Sequence, residues 1–94
     1  MSEQPKEIPK PLVEYPTVYA YKVMGKRVGE FHAMVQHLIA GALGRPVGDD
    51  AIVENISKQG HYVSLTVSVR LENEAERIAI YTAIHNEKRI VYYL

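Results

Sequence analysis

The chain has 94 residues, which is the length of one domain with a single hydrophobic core. Basic and acidic residues number 11 each, so the formal net charge is zero. This balance argues against nucleic acid or an acidic membrane as the main partner, because both bind basic surfaces. The absence of cysteine excludes disulfides, thiolate chemistry and cysteine-rich zinc sites.

The N-terminal region lacks the apolar run of a signal peptide, and no apolar stretch approaches the ~20 residues of a membrane span. We therefore expect a cytoplasmic protein with no membrane partner. Residues 1–14 carry three prolines among charged residues, a composition that supports neither a helix nor a β-ladder. We predict a disordered tail over residues 1–14 and one domain over residues 15–94.

The first strand and the first helix are predicted next to each other. Residues 18–24 are rich in β-branched and aromatic side chains, which is typical of a strand. Apolar residues then recur at helical spacing, which predicts a helix over residues 28–43 with Glu30 near its positive end. Gly44 and Pro46 follow as stop signals.

A hairpin follows the first helix. Residues 52–57 predict a short edge strand, and residues 58–61 predict the turn. From Val63 to Leu71 apolar and polar residues alternate strictly, which predicts a strand with one buried face and one open, polar face.

A second helix and a last strand complete the chain. Asn73 is the predicted N-cap of a helix that ends near His85 or Asn86. The apolar residues expected to point inward from this helix are Ile80, Tyr81 and Ile84. Residues 90–94 predict the last strand.

The element order is therefore β-α-β-β-α-β. Two right-handed crossovers around a hairpin predict an α+β, ferredoxin-like plait. Its four-stranded antiparallel sheet has the expected strand order 4-1-3-2, with both helices on one face.

The turn from the first strand to the first helix is the first candidate site. Free N–H groups at a helix N-terminus favour an anion, and two basic residues stand in this turn. The candidate ligand-binding residues of the turn are Gly25, Lys26, Arg27 and Gly29. The competing interpretation is that the glycines only make the bend.

The open face of the sheet is the second candidate site. If Tyr21 and Val23 pack under the helices, Lys22 projects onto the opposite face of a central strand. Its expected neighbours there are Tyr62, Ser64 and Thr66. These side chains could bind a small anionic ligand or a protein partner, or Lys22 could simply keep an exposed sheet soluble.

Catalytic and metal-binding chemistry find little support. His32 and His37 lie about 140° apart around a helix, so they do not converge on a metal, and the other two histidines lie in a turn and at a helix end. Ser64 and Thr66 have no base placed to activate them. We expect no cofactor, no metal and no enzymatic activity.

Two motifs resemble those of the YbeD-like family, small bacterial proteins of unknown biochemical function. The first is Tyr-Pro-Thr at residues 15–17 with Tyr-Lys-Val-Met-Gly at residues 21–25, and the second is Ser-Lys-Gln-Gly-His-Tyr-Val-Ser-Leu-Thr at residues 57–66. The resemblance implies a plait similar to the ACT-type regulatory domains, which bind small ligands, and an analogy-level link to lipoate metabolism. It carries over no catalytic residue.

Three functions stay open. The leading hypothesis is a non-enzymatic regulatory or binding module, with a homodimer formed by edge pairing or by sheet packing as a further prediction. Residues 25–31 also resemble the loop of acylphosphatases, but the arginine required after Phe31 is His32 here. An RNA-binding plait is the third alternative, and the paired rings that such plaits stack on bases are missing.

Overall fold

The computed structural model describes residues 14–94, so the predicted tail, except for Glu14, lies outside the described residues. The elements are β1 (Thr17–Lys26), α1 (Phe31–Leu43), β2 (Ile52–Ile56), β3 (Tyr62–Leu71), α2 (Glu74–Asn86) and β4 (Ile90–Tyr93). A single 3₁₀ turn, Asp49–Ala51, precedes β2.

The four strands form one antiparallel sheet in the order β2-β3-β1-β4, which is the predicted order 4-1-3-2. The two central strands pair over ten residues, from Thr17 opposite Leu71 to Lys26 opposite Tyr62. Strands β2 and β4 form the two edges. The predicted ferredoxin-like plait is confirmed.

The core lies between the sheet and the helices. The alternation in β3 is confirmed, because its five odd-numbered residues are all buried: Val63, Leu65, Val67, Val69 and Leu71. Tyr21 and Val23 of β1 are buried on the same side. The helices complete the core with Phe31, Val35 and Ile39 from α1 and with Ile80 and Ile84 from α2.

The junction between β1 and α1 differs from the prediction. The helix begins at Phe31 and not at residue 28, because Gly29 and Glu30 have positive φ angles of 60° and 55°, outside the right-handed helical region. Strand β1 continues to Lys26, since Gly25 and Lys26 keep their pairing with β3. The turn therefore consists of the four residues 27–30 and not of residues 25–29. Of the two glycines predicted to bind a ligand in this turn, only Gly29 lies in it.

The second helix follows the prediction at its start and departs from it in one side chain. The side chain of Asn73 caps the helix by accepting a 3.0 Å hydrogen bond from the amide of Glu76. Tyr81 was predicted to point inward and this is wrong: its side chain is exposed and its ring packs edge-on against Tyr93 of β4, at a centroid distance of 5.6 Å.

Both helices have 13 residues. Within residues 14–94, neither is long and apolar enough to cross a membrane.

Candidate functional site

The pairing of β1 with β3 brings most of the predicted site residues together. Lys22 lies directly opposite Thr66, and Lys26 lies opposite Tyr62. Ser64 stands between these two pairs on β3. Since their neighbours within β1 and β3 are buried, these five side chains share the other side of the sheet. Five of the eight predicted ligand-binding residues thus form one surface.

We call this surface the open face. By strand alternation and pairing it consists of Val18, Ala20, Lys22, Met24, Lys26, Val53, Asn55, Tyr62, Ser64, Thr66, Ser68, Arg70, Tyr92 and Leu94. Three of its side chains are basic and none is acidic. Glu54, the acidic residue of β2, is on the helix side, where its Oε1 lies 2.7 Å from Nδ1 of His32.

The open face is also rich in exposed apolar side chains. One row of side chains across the sheet runs from β2 to the end of the chain in the order Val53, Thr66, Lys22, Leu94. Five large apolar side chains of the open face are exposed: Val18, Val53, Tyr62, Tyr92 and Leu94. A basic and apolar surface of this kind is suited to contact with another molecule.

A bulge in β4 decides which side chains of the last strand reach the open face. Gly25 pairs with Ile90, whereas the preceding Met24 pairs with Tyr92, so Val91 is an extra residue in the edge strand. The bulge places Tyr92 beside Met24, and it turns Tyr93 toward α2. Sequence reasoning missed Tyr92 because a single apolar run of four residues carries no sign of a bulge.

Gly25 lies inside β1 and not in the turn, which corrects its predicted placement. A β-carbon built on it would lie 2.3 Å from Cε1 of Phe31 and 2.6 Å from the carbonyl oxygen of Arg89. The glycine is therefore explained by the close packing of α1 and the start of β4 against β1. Gly29 lies in the remaining turn, is exposed, and has no atom near its missing side chain.

The N-terminus of α1, where the sequence predicts an anion-binding site, opens into a cleft of about 300 Å³. Glu30 and Glu54 both line this cleft, together with Arg27 and His32. Two carboxylates oppose the binding of an anion there. His32, which stands where acylphosphatases require an arginine, contacts the carboxylate of Glu54.

A second cleft, which we call the basic cleft, lies on the other side of the same turn. It has a volume of about 400 Å³. Its lining consists of Lys26, Arg27, Val28, Gly60, His61 and Tyr62. The amide of Arg27 donates a 2.9 Å hydrogen bond to the carbonyl oxygen of His61, which joins the end of β1 to the hairpin turn. Two of the predicted basic site residues, Lys26 and Arg27, therefore meet here.

The opposite end of the sheet carries paired charges. Arg77 and, less strongly, the hydroxyl of Tyr15 bond to Glu74 and lower the pKa of its carboxyl to about 2. Arg45 forms a two-pronged contact with Glu76, at 2.8 and 3.1 Å, and lowers the pKa of that carboxyl to about 2. The arginines at this end are thus neutralised within the domain.

No three histidine or carboxylate side chains converge as a metal site within residues 14–94. His85 is accounted for by a different contact, since its Nδ1 lies 2.7 Å from the hydroxyl oxygen of Tyr93.

The fold and the open face define a small ferredoxin-like plait. Residues 10–94 match the model of a family described as "Protein of unknown function (DUF493)". The chain is 34% identical over 80 residues to a UPF0250 protein of Bordetella parapertussis, covering 84% of this chain and 86% of the relative. It is 33% identical over 82 residues to a UPF0250 protein of Leptothrix cholodnii, covering 86% of each.

The solution structure of protein HP0495 from H. pylori superposes with a TM-score of 0.72 at 25% identity, covering 100% of this chain and 98% of that one. The chain belongs to the DUF493 family of bacterial proteins, and the resemblance to the YbeD-like family is confirmed. Neither the family description nor these relatives' names include an enzymatic activity.

Proposed function

We propose that this protein is a non-enzymatic binding module that docks an acidic surface of a partner protein onto its open face. The observation that carries the proposal is the distribution of charge. Lys22, Lys26 and Arg70 stand among exposed apolar side chains, and the described strands place no acidic side chain on that side of the sheet. Although the net charge of the chain is zero, the charged side chains of the open face are all positive.

Charge complementarity favours an acidic partner over a second copy of the chain. Two copies packed through their open faces would bring Lys22 and Lys26 of both into one interface, and like charges in an interface oppose association. An acidic partner gains from the same lysines and still covers the apolar side chains Val53 and Leu94. Arg70 contributes less, since its Nε lies 2.8 Å from a carboxylate oxygen of Glu72 just beyond β3.

The dimensions of the open face agree with a modest interface. The two central strands have ten residues each and the edge strands have five and four, which at ~3.3 Å rise and ~4.8 Å spacing gives an area of roughly 450 Å². Stable complexes bury about 800 Å² on each partner, and transient ones bury less. We therefore expect a reversible complex whose association weakens as salt screens the lysines.

Photo-crosslinking in the source cell tests the proposal. A benzophenone amino acid placed at Ser68, which is exposed on the open face, should yield an adduct with another protein. The cross-linked peptide, identified by mass spectrometry, should be rich in aspartate and glutamate. The matched control is the same amino acid at Thr82, which is a polar residue exposed on α2.

The proposal fails if Ser68 gives no adduct above the level of Thr82. It also fails if the adduct is a second copy of this chain or a nucleic acid, or if the cross-linked peptide is not acidic.

A further inference from the structure

The basic cleft has features that docking on the open face does not require. Its wall is formed where the end of β1 meets the β2–β3 turn, and the bond from the amide of Arg27 to the carbonyl oxygen of His61 holds the two together. The guanidinium of Arg27 lies over Gly60, since a β-carbon on that glycine would be 3.7 Å from Nη1 of Arg27. The cleft is thus a formed depression with a positioned cationic group.

The charge around the cleft has one sign. Lys26 and Arg27 are the charged residues that line it, and no carboxylate does. A neighbouring depression of about 280 Å³, on the far side of Val28, is basic as well. Its lining includes Lys26, Lys88 and Arg89 and no acidic residue. Arg89 is in part neutralised by Glu87, at 3.2 Å. The ion pairs that neutralise Arg45 and Arg77 lie at the other end of the sheet.

The cleft also offers apolar surface beside its cations. The ring of Tyr62 and the side chain of Val28 both line it and are both exposed. A guanidinium fits the two oxygens of a carboxylate or phosphate in a planar, two-pronged contact. A volume of about 400 Å³ lies in the range of small-molecule sites, which span ~300–1,000 Å³.

From these features we infer that the basic cleft binds a small oxyanion that carries an aromatic or apolar body. Arg27 and Lys26 hold the oxyanion, and the body lies against Tyr62 and Val28. Arg27 also lines the cleft at the N-terminus of α1. Glu30 and Glu54 oppose an anion in that cleft, whereas no carboxylate lines the basic cleft. The basic cleft shares Lys26 and Tyr62 with the open face, but binding there does not require a partner protein docked at Lys22 and Val53.

Amide shifts of the full chain, labelled with ¹⁵N, test this inference. The probes are phenyl phosphate and benzoate, and benzyl alcohol is the neutral control. Saturable shifts are expected at Arg27, Gly60 and His61 with at least one anion, and the anion that binds more tightly assigns the headgroup. Arg27→Ala should weaken that binding about tenfold or more, because a charge-assisted bond is lost.

Two variants separate the local contact from general charge. Lys88→Ala removes one positive charge from the same end of the molecule without lining the cleft, and it should change the affinity less than about twofold. Arg27→Lys keeps the charge and loses the planar fork, so its affinity should lie between those of wild type and Arg27→Ala. Shifts elsewhere in each spectrum that match wild type establish that the variant is folded.

The inference is overturned if neither anion gives saturable shifts up to about 10 mM, which corresponds to very weak binding. Equal binding of benzyl alcohol, equal effects of Arg27→Ala and Lys88→Ala, or shifts centred on Glu30 and His32 would overturn it as well. Loss of partner cross-links at Ser68 leaves it intact, so the two proposals fail independently.

Discussion

The ring of Phe31 fills the space beside the α-carbon of Gly25, where any other residue would place its side chain. A β-carbon on Gly25 would lie 2.3 Å from Cε1 and 2.6 Å from Cζ of that ring. The carbonyl oxygen of Arg89 closes the same space from the β4 side. One missing methyl group therefore allows β1, α1 and the start of β4 to meet at the end of the sheet that carries the basic cleft.

Substitution of Gly25 should destabilise the domain. Gly25→Ala forces Phe31 or the backbone at Arg89 to move, and overpacking of this kind lowers the free energy of unfolding by about 1–3 kcal/mol. Urea unfolding measures the loss. Gly41→Ala is the matched control, because Gly41 lies in α1 with open space around it and alanine there should stabilise the helix by about 0.5–1 kcal/mol. Equal stability of Gly25→Ala and wild type would contradict the packing argument.

The cap of α2 gives a second prediction. Oδ1 of Asn73 accepts the amide of Glu76 at 3.0 Å, so Asn73→Ala should lower the free energy of unfolding by about 1 kcal/mol. Asn73→Ser keeps an oxygen that can accept the same bond and should lose much less. Thermal unfolding of the two variants under one set of conditions compares them. If serine and alanine destabilise equally, the side-chain cap contributes nothing.

Acid should weaken the domain between about pH 4.5 and pH 2. The carboxyls of Glu74 and Glu76 have pKa values lowered from 4.5 to about 2 by Arg77 and Arg45. A lowered folded-state pKa means that this stabilisation is present above the unfolded pKa and is lost as pH falls through the folded pKa. Urea midpoints measured from pH 6 to pH 2 should fall through this window.

Glu76→Gln is the variant that isolates this effect. It is less stable than wild type at pH 6, and its midpoint should fall less on acidification because one titrating pair is gone. The difference in stability at pH 6 and the difference in the fall of the urea midpoint should both shrink at high salt, since the Arg45–Glu76 ion pair is accessible to solvent. A wild-type curve that is flat from pH 4.5 to pH 2 would contradict the depressed pKa values.

Local sequence signals predicted the elements well and their junctions poorly. The strict alternation in β3 identified its buried face because only one side of the sheet is covered. The start of α1 was misplaced because apolar spacing does not report that Gly29 and Glu30 adopt left-handed conformations. Tyr81 was misplaced because an aromatic residue at helical spacing can also cover an edge strand, as it does against Tyr93.

The candidate site was predicted in part. The alternation of side chains along β1 and β3 correctly placed Lys22 on the same face of the sheet as Ser64 and Thr66. The presence of Tyr92 on that face was not predicted, because it depends on the bulge at Val91. A net charge of zero said nothing of how charge is distributed between the faces of the sheet. A regulatory role, a homodimer, a cytoplasmic location and a link to lipoate metabolism stay predictions.

Charge reversal on the open face tests the docking of an acidic partner most directly. The measurement is the yield of the Ser68 cross-link in Lys22→Glu, compared with Lys58→Glu, which makes the same charge change at an exposed residue of the β2–β3 turn. Neither change should alter stability by more than about 0.5 kcal/mol, since both residues are exposed. We expect about a tenfold loss in Lys22→Glu and little loss in Lys58→Glu. Equal yields in the two variants would contradict a complex held by the open face.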